Sequence, residues 1–304
     1  MRVLLVSCNR ERLPDPVLPI GLFLLAANLP SRHPRNIEDV LFRTDPAASV
    51  RDAVRTFRPD LVALGLRNGV SSDHAAPGDV HAGYREIAAA VRESTSAPMV
   101  IGGSAFSVFP RELMEVMDAD FGLEGEAEDT FPLLVDALEA GLSTPEIPGL
   151  WFRHGDTFVG IPRGESGRGQ SVAGVDLNRI AFPDLSQVDP QYFAEGACLP
   201  VQTRRGCAFQ CAHCTYPSIE GRLVRCMRPE RAVDAMFNAM EHAPAARHLF
   251  VVDSVFTYPR NHALAVAREM ARRHFPLPWT AYANPVGFDT ELAQAMAEAR
   301  CVGL

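Results

Sequence analysis

The sequence predicts an α/β fold in two parts: a doubly wound parallel sheet, then an incomplete (β/α) barrel. Three observations predict it. Short apolar runs alternate with amphipathic helical stretches through the first 140 or so residues. A Pro-, Gly- and Ser-rich stretch then interrupts the alternation. A second βα series starts at 196 and has reached only a fourth strand by 304, where a complete eight-stranded barrel takes about 250 residues. The domains are placed at 1–145, a linker with a β-hairpin at 146–195, and the first part of the barrel at 196–304.

In the first domain, strands are expected at 3–7, 39–43, 61–66, 99–101 and 119–123, and helices around 20–29, 47–57, 80–93, 111–117 and 131–140. Strands and helices in strict alternation imply a parallel sheet covered on both faces. Such sheets bind ligands outside the carboxyl ends of their strands, at the switch point. The candidate binding residues are therefore Ser7, Cys8, Asn9, Arg67, Asn68, Gly102, Gly103, Ser104, Gly125 and Glu126. Gly102-Gly103 would let a bulky ligand approach the backbone closely, and a tight turn before a helix at Pro110 explains the pair equally well. In the linker, 149–153 and 157–159 flank His154-Gly155-Asp156 as a hairpin, and 164–174 reads as a mobile connection. The second series has strands at 199–203, 249–252 and 279–283, helices at 229–241, 263–273 and 290–299, and a further strand beginning at 301.

Composition excludes several functions. The net charge of −8 and the absence of a basic block argue against nucleic acid binding by phosphate neutralisation. No apolar run approaches a membrane span, and the run at 3–6 is too short for a signal-peptide core, so a cytoplasmic location is expected. All 29 basic residues are arginine. A Schiff-base lysine and a P-loop lysine are both excluded. The seven cysteines are odd in number and three are clustered, a pattern of metal binding in a reducing compartment.

That cluster is the most specific feature of the chain. Cys207, Cys211 and Cys214 are spaced C-x3-C-x2-C directly after an expected strand. Three thiolates on a cubane iron–sulfur cluster leave one of its four irons open to a small molecule. Two other readings stand beside this one: a zinc site with His213 as fourth ligand, and a ferredoxin-type cluster closed by Cys198 or Cys226. Cys8 and Cys301 also read as buried apolar thiols.

Thr203-Arg204-Arg205-Gly206-Cys207, with Cys211 and Cys214, resembles the cluster loop of radical S-adenosylmethionine enzymes. The first half is similar to the Rossmann-like cobalamin-binding domain fused ahead of the barrel in one branch of that family. The similarity lies in Leu18-Pro19-Ile20-Gly21-Leu22, Arg58-Pro59-Asp60-Leu61-Val62, Ile101-Gly102-Gly103, Gly125-Glu126-Ala127-Glu128, Ile147-Pro148-Gly149-Leu150 and Phe182-Pro183. The resemblance implies a [4Fe–4S] cluster on Cys207, Cys211 and Cys214. Its open iron would bind S-adenosylmethionine, and an electron from the cluster would release a 5′-deoxyadenosyl radical. It implies Asp253 near the methionyl amine, where a helix cap or a backbone bond is the competing role. His213 stands where the family has an aromatic residue; it would cover the adenine or face solvent.

The D-x-H-x-x-G signature of other cobalamin proteins is absent, and Asp79-Val80-His81-Ala82-Gly83 reads as a helix start. With no histidine below cobalt, Arg67 would lie under the corrin, and a surface arginine is the alternative. The implied activity is cobalamin-dependent methyl transfer to an unactivated carbon of a small molecule, the two domains facing each other across the substrate and a flavodoxin or ferredoxin supplying electrons. A cyclase or rearrangement enzyme, or a non-catalytic corrinoid and cluster carrier, are the competing readings.

Overall fold

Val3-Leu4-Leu5-Val6 is apolar on both faces of a strand, which suits a parallel sheet covered on both sides. In the computed structural model, which describes residues 1–71, 79–163 and 174–304, it opens β1 (Val3–Ser7), buried throughout. β1 pairs in parallel with β2 (Arg35–Asp39) and β3 (Leu61–Gly65). β4 (Met99–Gly102) and β5 (Phe121–Leu123) extend the sheet in parallel, and β6 (Leu150–His154) and β7 (Thr157–Gly160) extend it antiparallel. The order is β2-β1-β3-β4-β5-β6-β7. Its direction reverses between β1 and β3, the switch point of a doubly wound sheet.

The intervening helices are α1 (Ile20–Asn28), α2 (Pro46–Phe57), α3 (Val80–Ser94), α4 (Ser104–Val108), α5 (Pro110–Met117) and α6 (Thr130–Glu139). One face of the sheet packs Leu4, Val6, Val62 and Leu64 against Val50, Ile87 and Leu113 of α2, α3 and α5. The other packs Val3, Leu5, Leu61 and Ala63 against Leu22 and Leu134 of α1 and α6. Alternate residues of one strand thus enter two cores. Asp45 and Asp79 cap α2 and α3 by accepting the N–H groups of Ala48 and Ala82. Asp79-Val80-His81 is therefore a helix start, as expected.

Two expectations are corrected. β2 lies at 35–39 instead of 39–43. It is an edge strand, so its polar residues stay hydrated and Ile37 alone of its side chains packs on that core. The apolar pair Val40-Leu41, which marked the later position, is buried in the turn beyond it. The hairpin expected in a linker is part of the first sheet, because β6 pairs with β5.

The chain divides into two units: Met1–Pro14 with Pro19–Val175, and Asp15–Leu18 with Asp176–Leu304. The expected mobile connection falls almost wholly at 164–173, outside the described residues. The second unit contains α7 (Gln191–Ala194), β8 (Leu199–Val201), β9 (Arg204–Arg205), α8 (Tyr216–Glu220), β10 (Arg225–Cys226), α9 (Pro229–His242), β11 (Leu249–Val251), α10 (Arg260–Arg272), β12 (Trp279–Ala281), α11 (Thr290–Glu298) and β13 (Cys301–Gly303). β8, β11, β12 and β13 form a parallel sheet in chain order, the pattern of successive barrel strands. Arg231 of α9 donates to the carbonyls of Leu177 and Ile180 and lies 4.4 Å over the Phe182 ring, tying this segment to α9. No helix among the described residues is long and apolar enough to cross a membrane.

Near the end of α6, His33 is fully buried and its Nε2 lies 2.7 Å from Asp136 Oδ1. The hydrogen bond from His33, then those from Arg32, hold the Asp136 carboxyl below its ordinary range. A lowered carboxyl contributes stability above its unfolded pKa and loses it as pH falls through the folded one. Asp136→Asn is expected to reduce the drop in melting temperature on acidification below the carboxylate range. An identical pH profile in thermal scans of variant and parent would contradict this.

Candidate functional site

The cysteine loop leaves the carboxyl end of β8 through β9, which pairs antiparallel with β10. Three contacts fix its entrance. Gly206 has φ +83°, and a Cβ there would overlap the Leu223 carbonyl oxygen. Its N–H donates to Glu220 Oε2 (3.1 Å), and the Cys207 N–H donates to the Gly221 carbonyl (3.1 Å). Gln202 Nε2 donates to the other Glu220 oxygen, and Arg205 Nε donates to Gln202 Oε1. Beyond this collar the loop opens to solvent. Cys207 is buried, Cys214 half-buried and Cys211 exposed, and all three thiols are unpaired. A turn, Cys214 N–H to Cys211 carbonyl at 3.1 Å, brings the C-x2-C pair onto one side. Phe209 packs on Tyr258 with ring centroids 5.1 Å apart.

The donor set suits an iron–sulfur cube. Among the described residues, a group of ligand atoms all within 4.8 Å of one another is found at His33, Asp136 and Glu139, and the three cysteines do not form such a group. One zinc ion with Zn–S of about 2.3 Å would draw its thiolates to within about 4 Å of each other. A cube spreads them over separate irons. His213 is exposed, so of its two expected roles the chain alone shows the solvent-facing one.

Asp253 lies two residues beyond the end of β11. It is fully buried and accepts the Thr203 N–H (2.7 Å), the Thr203 hydroxyl (2.6 Å) and the Arg204 N–H (3.0 Å). Burial pushes its carboxyl up to about 6, against those hydrogen bonds. Of its two expected roles, the chain itself shows the bond to neighbouring backbone. Arg204, also fully buried, donates from Nε to the Val255 carbonyl (2.7 Å), from Nη2 to Ser254 Oγ (3.0 Å) and from Nη1 to the Gly206 carbonyl. The Thr257 hydroxyl donates to the Asn284 carbonyl and accepts the Asn284 N–H. The loops after β8, β11 and β12 are thus bonded in series.

In the first unit, backbone hydrogen bonds join the strand ends to one another. Cys8 N–H donates to the Gly65 carbonyl, Leu66 N–H to the Gly102 carbonyl and Ala105 N–H to the Leu66 carbonyl. Ser104 Oγ donates to the Arg67 carbonyl (2.7 Å). Ser107, which the sequence reading missed, donates to the Gly103 carbonyl and accepts the Gly125 N–H, joining β4 to β5. Arg67 is exposed and donates to Asn68 Oδ1; the Asn68 Nδ2 atom is buried without a partner. Such an orphaned donor at a strand end fits a polar ligand group.

Other expected contacts are already engaged by the chain. Ser7 is buried within β1. The Cys8 thiol lies in the core, and burial raises its pKa. Asn9 forms a local turn with Glu11 through both ends of its amide. A Cβ at Gly125 would overlap the Arg163 guanidinium, so that glycine answers an arginine of the chain itself. Glu126 accepts the Val175 N–H (2.9 Å).

Residues 7–135 match the B12 binding domain family. Radical S-adenosylmethionine methyltransferase TsrM from Kitasatospora setae, solved with cobalamin and a [4Fe–4S] cluster bound, superposes with a TM-score of 0.83 at 26% identity over 99% of this chain. Over nearly its whole length the chain is thus similar to a cobalamin-binding radical S-adenosylmethionine methyltransferase. Among curated relatives, the tryptophan 2-C-methyltransferase of Streptomyces laurentii is 25% identical over 97% of the chain. An uncharacterised methyltransferase of Pyrococcus horikoshii is 27% identical over 93%. The chain spans 58% and 59% of the length of these two relatives and 58% of the TsrM chain. The cysteine loop at 207–214 and the strand ends of the first unit are the two candidate sites.

Proposed function

We propose that the chain serves cobalamin-dependent radical S-adenosylmethionine methyl transfer to an unactivated carbon of a small molecule. The observation that carries this reading is the trio of unpaired cysteines at the carboxyl end of a parallel strand, in a chain that matches the B12 binding domain family. We assign cobalamin to residues 1–145 and the cluster with S-adenosylmethionine to 196–304. When bound, the cluster would supply an electron, S-adenosylmethionine the radical and methyl sources, and cobalamin a methyl carrier.

The residues have distinct tasks. Cys207, Cys211 and Cys214 would hold the cluster as thiolates. Asn68, Gly102 and Ser104 would line the cobalamin cleft, with Arg67 beneath the ring. A cation there would hold positive charge against the bound cobalamin and would make it a better methyl donor. The working compartment is the cytoplasm, the reductant a flavodoxin or ferredoxin, and nucleic acid is no partner of so acidic a chain.

Anaerobic reconstitution with iron, sulfide and methylcobalamin tests the proposal. Expected are spectra of both groups and cleavage of S-adenosylmethionine; with a substrate, the product gains one methyl group. A product without that mass would indicate ring closure or rearrangement. Cobalamin uptake without any cleavage would leave a carrier. Arg67→Ala gives a second check. Arg67 is exposed, so stability should change by no more than about 0.5 kcal/mol. The cobalamin spectrum should shift and methyl transfer should slow. Unchanged affinity, spectrum and rate would remove Arg67 from the site.

A further inference from the structure

Two fully buried charges flank the entrance to the cysteine loop without serving as ligands. The Asp253 carboxylate gathers three donors from the two residues Thr203 and Arg204. The Arg204 guanidinium ties three acceptors on Gly206, Ser254 and Val255. Gly206 immediately precedes Cys207, and its own N–H is held by Glu220. The carboxylate therefore fixes the strand end, the guanidinium fixes the turn, and the first cysteine is set between them.

Burying two charged groups is costly unless each is fully hydrogen-bonded. Here four of the six bonds run to backbone groups, on the segments after β8 and β11, and apolar residues at 204 and 253 could not supply them. Only a planar fork with several fixed donors reaches Val255, Ser254 and Gly206 together; lysine would offer one point charge. The arrangement matches the way hydrogen-bonded outer residues orient the ligands of a metal centre.

We propose that Asp253 and Arg204 are positioning residues that set the geometry of the cluster loop, and that Asp253 acts through the backbone of Thr203 and Arg204 instead of by touching S-adenosylmethionine. This rests on the reading of Cys207, Cys211 and Cys214 as cluster ligands.

The test uses the full chain, reconstituted anaerobically with iron and sulfide, as parent, Asp253→Asn and Thr203→Val. A parent that takes up no cluster would overturn the cysteine reading, and this proposal with it, before any variant is compared. With the parent loaded, Asp253→Asn should lose iron to a chelator about 10- to 100-fold faster. The electron paramagnetic resonance spectrum of its reduced cluster should differ from the parent's before S-adenosylmethionine is added, and added S-adenosylmethionine should still shift it. Thr203→Val removes one donor from Asp253 while keeping the side-chain shape, and should move iron loss and spectrum the same way to a smaller extent. It carries the test alone if Asp253→Asn does not fold. Parent-like iron retention and spectrum in Asp253→Asn, with the response to S-adenosylmethionine gone, would make Asp253 a cofactor ligand and overturn the proposal. Parent-like behaviour of Thr203→Val would overturn it as well.

Discussion

Cys211→Ala is expected to abolish iron–sulfur loading and S-adenosylmethionine cleavage while leaving the protein folded. The two effects separate because Cys211 is exposed. Removing an exposed thiol from a loop beyond the Gly206 collar creates no cavity, so the change in stability should stay within about 0.5 kcal/mol. Cys207 is a different case. It is buried and its N–H is held by Gly221, so Cys207→Ala combines loss of the ligand with loss of packing. Iron and sulfide analysis beside thermal unfolding distinguishes the two. Full loading of Cys211→Ala with unchanged spectra would mean that Cys211 is no ligand, and the cubane reading would fall with it.

The second large effect is at the end of β4. Gly103 has φ +102° and ψ −177°, a region that only glycine adopts readily. A Cβ there would sit 2.5 Å from the Leu66 carbonyl oxygen, which accepts the Ala105 N–H and cannot move away freely. Gly103→Ala should therefore cost about 2–4 kcal/mol in denaturant unfolding of the first unit. At Gly102 a Cβ meets its nearest neighbour, the Leu123 carbonyl oxygen, at an ordinary 3.4 Å. Gly102→Ala should leave stability within about 1 kcal/mol and weaken cobalamin binding by about tenfold or more. A Gly102→Ala protein that binds cobalamin normally would place the ligand elsewhere along the strand ends. The two glycines, which the sequence presents as one pair with two competing explanations, thus differ: the turn needs Gly103, whereas Gly102 has room for a Cβ at van der Waals distance.

Periodicity made most of the fold legible because most strands lie inside a sheet covered on both faces, where burial forces an apolar run. β1 and the run from β3 to β5 are such segments. β2 escaped because one of its sides meets no strand, so Arg35, Glu38 and Asp39 could remain polar. The cysteine spacing was legible because three thiols in eight residues have few uses. The partners of the remaining site residues were not. That Arg163 would cover Gly125, that Val175 would engage Glu126, or that Asp253 would close on Thr203 depends on contacts between residues 38 to 50 positions apart. A single sequence gives the chemistry of a side chain at such a distance but not its partner. Gly206 was visible as part of a motif; its positive φ and its approach to Leu223 explain why no other residue serves there.

The serial bonding of the loops after β8, β11 and β12 also bears on dynamics. Because Arg204 reaches the β11 loop and Thr257 reaches Asn284, none of the three can open alone without breaking one of these polar contacts. Their amide protons should exchange with deuterium as one cooperative block. A molecule that grips a single member would then quiet its neighbours, and tightening would spread around the rim without a wire of moving side chains.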